Sequence, residues 1–213
     1  MSKTKVILAA FIAIIALSAV AASSASAAWK VNGKALAAGE KVALSTKAIV
    51  DEQAVLNVPT LSLKISCAGL SGVKPEIEGT TKASAEHLIF EGCSEIEPKT
   101  CKLNPTTVKT EPITATTTTG VSPDDKVLFK PTVAGPFATL VFEGTCSLAG
   151  EKPVTGAVVV NAPTGQSEEV SQLIDGIGSA EGNNSLEVAK NKAFIEGGKA
   201  LLKTANGSKW SFR

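Results

Sequence analysis

The chain has 213 residues, with 21 Lys and Arg against 20 Asp and Glu; this near-neutral balance leaves no basic excess for nucleic-acid binding. Its aromatic residues are seven Phe and two Trp, with no Tyr. That is too few for a stacking platform for polysaccharide or single-stranded nucleic acid, or for the two aromatic girdles of an outer-membrane barrel.

Residues 1–27 read as a secretory signal peptide. Lys3 and Lys5 form a cationic start, Val6 to Ala22 is uncharged and apolar, and Ala25-Ser26-Ala27 is a small-residue cleavage motif. The expected cut lies between Ala27 and Ala28, with the bond before Trp29 as second choice. The apolar stretch falls slightly short of the about 20 residues of a spanning helix, which disfavours a retained anchor. No Cys ends the stretch for lipid attachment and no Arg pair precedes it, so the general secretory route is expected. Residues 28–213 contain no further apolar stretch of spanning length. They are expected to form one soluble, secreted or envelope-associated domain, long enough to bury about 70% of its extended surface.

The exported part opens with Trp29-Lys30-Val31, Asn32-Gly33 and Lys34-Ala35-Leu36, the pattern of a two-residue type I′ hairpin. Short apolar or β-branched runs follow between Gly, Pro, Ser and Thr: 42–46, 48–58, 61–67, 87–90, 106–110, 127–130, 137–142, 154–160, 192–195, 200–204 and 210–212. Leu61, Leu63 and Ile65 alternate with Ser62, Lys64 and Ser66, the period-2 pattern of a half-buried strand. The pattern predicts an all-β domain, an antiparallel β-sandwich or a barrel-like fold. Trp29 and Trp210 are expected to pack in or near one sheet. Ser167–Asp175, with Val170, Leu173 and Ile174 on one face, is the best helical candidate. Thr114–Thr119 reads as an exposed edge strand or loop, its threonines too irregular for an ice-binding array.

Cys67, Cys93, Cys101 and Cys146 all lie in the exported part, and an even count in an oxidising compartment predicts two disulfides. Three connectivities are open; spacing favours Cys93–Cys101 as a local loop and Cys67–Cys146 as the long-range bond. Chain entropy would contribute roughly 2.6 and 4.5 kcal/mol respectively. There is no C-x-x-C, and His87 alone cannot complete a Cys/His zinc cluster. Leu88-Ile89-Phe90-Glu91-Gly92-Cys93-Ser94 is echoed by Leu140-Val141-Phe142-Glu143-Gly144-Thr145-Cys146-Ser147. The echo reads as one strand-to-turn solution used twice, ahead of two equivalent binding loops.

Motifs for catalysis are missing: no nucleophile elbow, zinc helix, phosphate loop or EF-hand occurs. Gly176 to Gly182 has one residue too many for a dinucleotide loop and reads as a flexible loop. His87 sits beside Leu88, Ile89 and Phe90 and reads as a packing histidine on a core strand. Acidic clusters at Glu76/Glu78, Glu91/Glu95/Glu97, Asp124/Asp125 and Glu168/Glu169 leave open a pair flanking a glycosidic bond, or calcium in a loop, although no ligand spacing supports calcium. Asn183-Asn184-Ser185 and Asn206-Gly207-Ser208 match the glycosylation sequon, which matters only in a eukaryote.

The Trp-x-Val-Asn-Gly start at 29–33, the strand ending in Cys67, the 88–94 run, Cys101, Leu-Phe-Lys-Pro at 128–131, Phe-x-Gly-Thr-Cys at 142–146 and Asn-Gly-x-x-Trp at 206–210 together resemble a family of small exported actinobacterial proteins. The resemblance implies an extracellular or envelope-associated β domain in a bacterium, and brings no site residues with it. The expected function is a non-enzymatic binding or structural module without cofactor or metal, whose partner is a cell-wall polymer, another protein or a second copy. The alternative is a secreted hydrolase using paired carboxylates.

Overall fold

A computed structural model describes residues 28–48, 53–118, 125–162, 171–176 and 185–212. In chain order the strands are β1 (Trp29–Val31), β2 (Lys34–Ala35), β3 (Lys41–Ala48), β4 (Ala54–Val58), β5 (Leu63–Val73), β6 (Glu76–Glu78), β7 (Lys82–Ala85), β8 (His87–Glu97), β9 (Lys102–Leu103), β10 (Val108–Lys109) and β11 (Ile113–Thr118). They continue as β12 (Asp125–Pro131), β13 (Ala138–Glu143), β14 (Gly150–Thr155), β15 (Val158–Ala162), β16 (Ser171–Gly176), β17 (Glu187–Val188), β18 (Asn191–Lys192), β19 (Phe194–Gly197), β20 (Lys199–Thr204) and β21 (Trp210–Phe212). The one helical element among the described residues is a 3₁₀ turn, Pro59–Leu61. The protein is all-β and wholly antiparallel, as its alternating pattern implies.

Eight strands close into a barrel in the order β11-β12-β15-β16-β20-β3-β6-β7. Period-2 alternation makes this closure legible as a ring of paired residues. Val42 faces Ile77, Ile77 faces Ala83, Ala83 faces Ala115, and Ala115 faces Phe129. Phe129 then faces Val158, and Leu202 faces Thr46 on β3. These residues form the apolar inner face. The alternate positions, Lys41, Glu76, Glu78, Lys82, Ser84, Thr114 and Lys130, pair with one another on the outer face. Polar-out, apolar-in is the inverse of a lipid-embedded barrel.

The other half of the protein is a sandwich. One sheet runs β10-β8-β5-β4-β19, the other β18-β17-β14-β13-β9. Val58, Leu63, Ile65 and Cys67 of the first share a buried cluster with Leu140, Phe142, Val154 and Val188 of the second. Burying each such side chain stabilises by roughly 1.5–3 kcal/mol. The long β5–β8 ribbon pairs from Lys64–Glu97 to Val73–His87, with a one-residue register shift between Lys64 and Ile65, and belongs to the sandwich. At its far end it turns out the β6–β7 hairpin, which completes the barrel. Phe129 packs against the cores of both halves.

A third sheet, β2-β1-β21, brings the first and last described strands together. The Asn32-Gly33 turn forms as expected, with φ of 49° and 80°. Trp29 pairs with Phe212 across β1 and β21, and Val31 with Trp210. The Trp29 ring lies 5.8 Å from that of Trp210 and 4.5 Å from that of Phe212, both tilted. All three join Leu44, Ile77 and Val127 in the barrel's cluster. The expected Trp29–Trp210 proximity is therefore met.

Both disulfides form, with a connectivity other than the one spacing favours. Cys67 bonds Cys93 and Cys101 bonds Cys146. The cause is register: Cys67 and Cys93 face each other across the β5–β8 ribbon, with Cα atoms 3.9 Å apart. Cys101 stands beyond the end of β8, where β9 pairs with β13 and brings it to Cys146. The two echoed runs also part company here. β13 ends before Gly144, whereas β8 runs through Gly92, so Cys93 is a strand residue and Cys146 is not. Two disulfides suit an oxidising compartment.

Two further expectations are overturned. Residues 171–175 of the helical candidate form β16, paired to β20 and β15, because strand pairing on both sides outweighs a short helical spacing; residues 167–170 lie outside the described region. Thr114–Thr118 lies in β11, flanked by β7 and β12, so it is an interior barrel strand; Thr119 lies outside the described residues. Also outside them are the signal-peptide reading with Ala27, the Gly-rich loop beyond Gly176, Asp124, Glu168/Glu169 and Asn183-Asn184. Among the described residues, no helix is long and apolar enough to cross a membrane.

Two turn glycines give a matched test of backbone strain. Both hold positive φ, +80° at Gly33 and +94° at Gly156. A Cβ at Gly33 would meet open space, whereas one at Gly156 would stand 2.0 Å from the Ser185 carbonyl oxygen. Gly33→Ala is expected to cost about 1 kcal/mol and Gly156→Ala at least about 2 kcal/mol. Equal losses in urea unfolding would contradict the close approach.

Candidate functional site

Where the barrel meets the sandwich, inward residues leave an apolar cavity of about 120 Å³. Three of the inward positions, Ala83 and Ala85 on β7 and Ala200 on β20, carry only a methyl group, and this creates the room. Leu44, Ile77, Ile113, Val127 and Leu202 wall the barrel side. Leu70, Leu88, Phe90 and Ile195 close the side facing the sandwich. A second apolar cavity of about 60 Å³ lies between the sandwich sheets, bordered by Ile65, Phe90 and Leu140.

The polar groups at the larger cavity are few and nearly all engaged. Thr46 Oγ1 accepts from the Gly72 N–H. Ser84 and Glu76 also border the cavity, but their side chains pair on the barrel's outer face, where Ser84 Oγ donates to Glu76 Oε1 at 3.2 Å and Lys41 Nζ donates to the same oxygen. Trp29 is the exception. It lines the cavity, is 2% exposed, and its ring N–H is buried without a hydrogen-bond partner among the protein atoms described.

Among the described residues, the acidic clusters read from the sequence do not meet in this cavity. Glu76 borders it as the one acidic residue among the described lining residues. Glu78 shares Lys41 with Glu76, its Oε2 3.4 Å from Nζ, on the barrel's outer face. Hydrogen bonding to Glu76 is the main cause raising the Lys41 pKa. Glu91, Glu95 and Glu97 lie along β8, and Asp125 opens β12. No group of three or more His, Cys, Asp or Glu among the described residues could hold a metal ion. All four predicted cysteines are disulfide-bonded, so none is a nucleophile or ligand. Asn206 caps its own turn, its Oδ1 accepting from the Ser208 N–H at 3.0 Å.

His87 opens β8, half-buried, with Nδ1 2.6 Å from the Thr110 carbonyl oxygen. Thr110 Oγ1 accepts from the Leu88 N–H, so this group joins β8 to the segment after β10. Next to it, Lys74 Nζ lies 2.6 Å from Glu86 Oε1. That hydrogen bond holds the Glu86 carboxyl below its ordinary pKa. The stabilisation is present above the ordinary Glu value and fades as pH falls through the lowered one. Both groups stand in water, so the effect is small. Glu86→Gln should flatten the acid limb of the stability curve, and an unchanged limb would refute the assignment.

No family model, curated protein or solved structure matches the chain.

Proposed function

We propose that the protein is an exported bacterial binding protein, non-enzymatic, whose barrel takes up one small apolar molecule outside the cytoplasm. The observation that carries this reading is the apolar cavity of about 120 Å³ walled on one side by the interior of a closed eight-stranded barrel and on the other by the sandwich. Eight strands give an interior that is either filled by side chains or holds one small ligand, and the alanines at 83, 85 and 200 favour the second. An apolar cavity of about 150 Å³ binds benzene, so the expected ligand is of that order of size. The signal-peptide pattern, the disulfides and the resemblance to small exported actinobacterial proteins support placing it in the envelope or outside the cell.

Two observations weigh against the other readings. A paired-carboxylate hydrolase needs two carboxyl groups about 5 to 9.5 Å apart across its substrate. Among the described residues, the one acidic residue bordering the cavity, Glu76, is ion-paired to Lys41. Self-association through sheet edges is poorly served, because β2, β9, β10 and β18 are two-residue strands and β19 has four.

Thermal unfolding with a panel of benzene-sized hydrocarbons tests the proposal. A ligand at 100 times its Kd should stabilise by about 2.7 kcal/mol. Ala200→Val, which fills part of the cavity, should abolish that gain while keeping the fold. Identical ligand responses in both proteins would refute binding in the barrel.

A further inference from the structure

Resting on that reading, we infer that the ligand is elongated: a compact part sits on the barrel side, and a straight aliphatic tail passes between Phe90 and Phe137 into the second cavity, between the sandwich sheets. The two cavities share a wall, because Ala54, Phe90, Phe137 and Ile195 border both. Ala54, Phe90 and Ile195 belong to strands of one sandwich sheet, and Phe137 stands directly before β13 of the facing sheet. The wall is thus one residue thick, and one of its four members carries only a methyl group. A ring with unfilled space on both sides gives up few packing contacts when it turns, and the half-buried Phe90 is placed to do so. The β5–β8 ribbon carries one apolar floor through both cavities. Ile65 borders the smaller, Leu70 and Leu88 the larger, and Phe90, paired with Leu70, borders both. The smaller cavity suits hydrocarbon. Thr110 is its one polar lining residue among those described, and its hydroxyl oxygen is engaged with the Leu88 N–H. A cavity of about 150 Å³ holds the six carbons of benzene, so the smaller cavity, at about 60 Å³, has room for about two.

Titration with toluene, ethylbenzene and n-propylbenzene tests this, since each added methylene that finds apolar space should raise affinity about fourfold. The wild type should show that rise through n-propylbenzene. NOEs from the propyl methyl should reach Leu140 and Val154, which border the smaller cavity and not the larger. Ala138 on β13 also borders the smaller cavity alone, and Ala138→Val fills part of it. In that variant the rise should stop at toluene, while toluene itself binds as in the wild type, which also shows that the variant is folded. If the variant does not fold, the wild-type NOEs decide alone. A dependence on tail length that is the same in both proteins, or propyl NOEs confined to Leu44 and Val127 on the barrel side, would overturn the elongated ligand while the cavity reading stands. Failure of toluene and both longer probes to bind the wild type would refute the cavity reading itself.

Discussion

Replacing Cys101 and Cys146 together by alanine is expected to cost about 4 kcal/mol of stability, and replacing Cys67 and Cys93 about 3.5 kcal/mol. The figures follow from the loops that the bonds close, with sequence separations of 45 and 26. A domain of this kind has a total stability of about 5–15 kcal/mol, so losing either bond is a large fraction of it. The two losses should also differ in character. Cys67–Cys93 joins strands already held by a ladder from Lys64–Glu97 to Val73–His87, so its removal should leave the ribbon paired. Cys101–Cys146 lies where the chain leaves β8 for the opposite sheet, held there by the two-residue β9 pairing to β13 and by Asn104, which donates to the Val141 carbonyl and to Glu143. Its loss should free that edge first, seen as faster amide exchange around Leu103 and Phe142. Trypsin can cut after Lys64, Lys82, Lys99 and Lys102, which separates all four cysteines, so a non-reducing peptide map reads the connectivity directly. Cross-linked Cys93 and Cys101 peptides would contradict the fold.

Trp210→Ala is expected to cost about 3–5 kcal/mol, as other large-to-small changes of fully buried aromatic residues do. Trp210 is 1% exposed and pairs with Val31 through β21. Its removal leaves a void beside Trp29 and Phe212 and unseats the sheet that joins the two ends of the domain. Trp29→Ala should cost a similar amount. The two rings touch, so the double variant should lose less than the sum by about 0.5–1.5 kcal/mol. Strict additivity in denaturant unfolding would mean that the rings do not pack together.

Much of this was legible in local residue patterns. Asn32-Gly33 dictates its turn because both residues accept positive φ, and the Leu63-Ile65 alternation dictates a half-buried strand. The cysteine pairing was hidden because it depends on the register of two eleven-residue strands, a non-local property that spacing along the chain does not encode. The barrel was hidden for a related reason. Thr114, Thr116 and Thr117 dominate their stretch and suggest an exposed run, yet Ile113 and Ala115 keep the alternation of a strand with one buried face. Reading those two positions in place of the threonines would have placed β11 inside a sheet. The cavity had no local signal at all, since Ala83, Ala85 and Ala200 matter only once β7 and β20 face the same interior.

Binding inside the barrel is tested most directly by a methyl-resolved NMR titration of the folded protein with benzene. Saturable shifts confined to Leu44, Ile77, Ile113, Val127 and Leu202, and absent in Ala200→Val, are the predicted result. Shifts that fail to saturate, or that persist unchanged in the filled variant, would contradict a ligand site in the barrel.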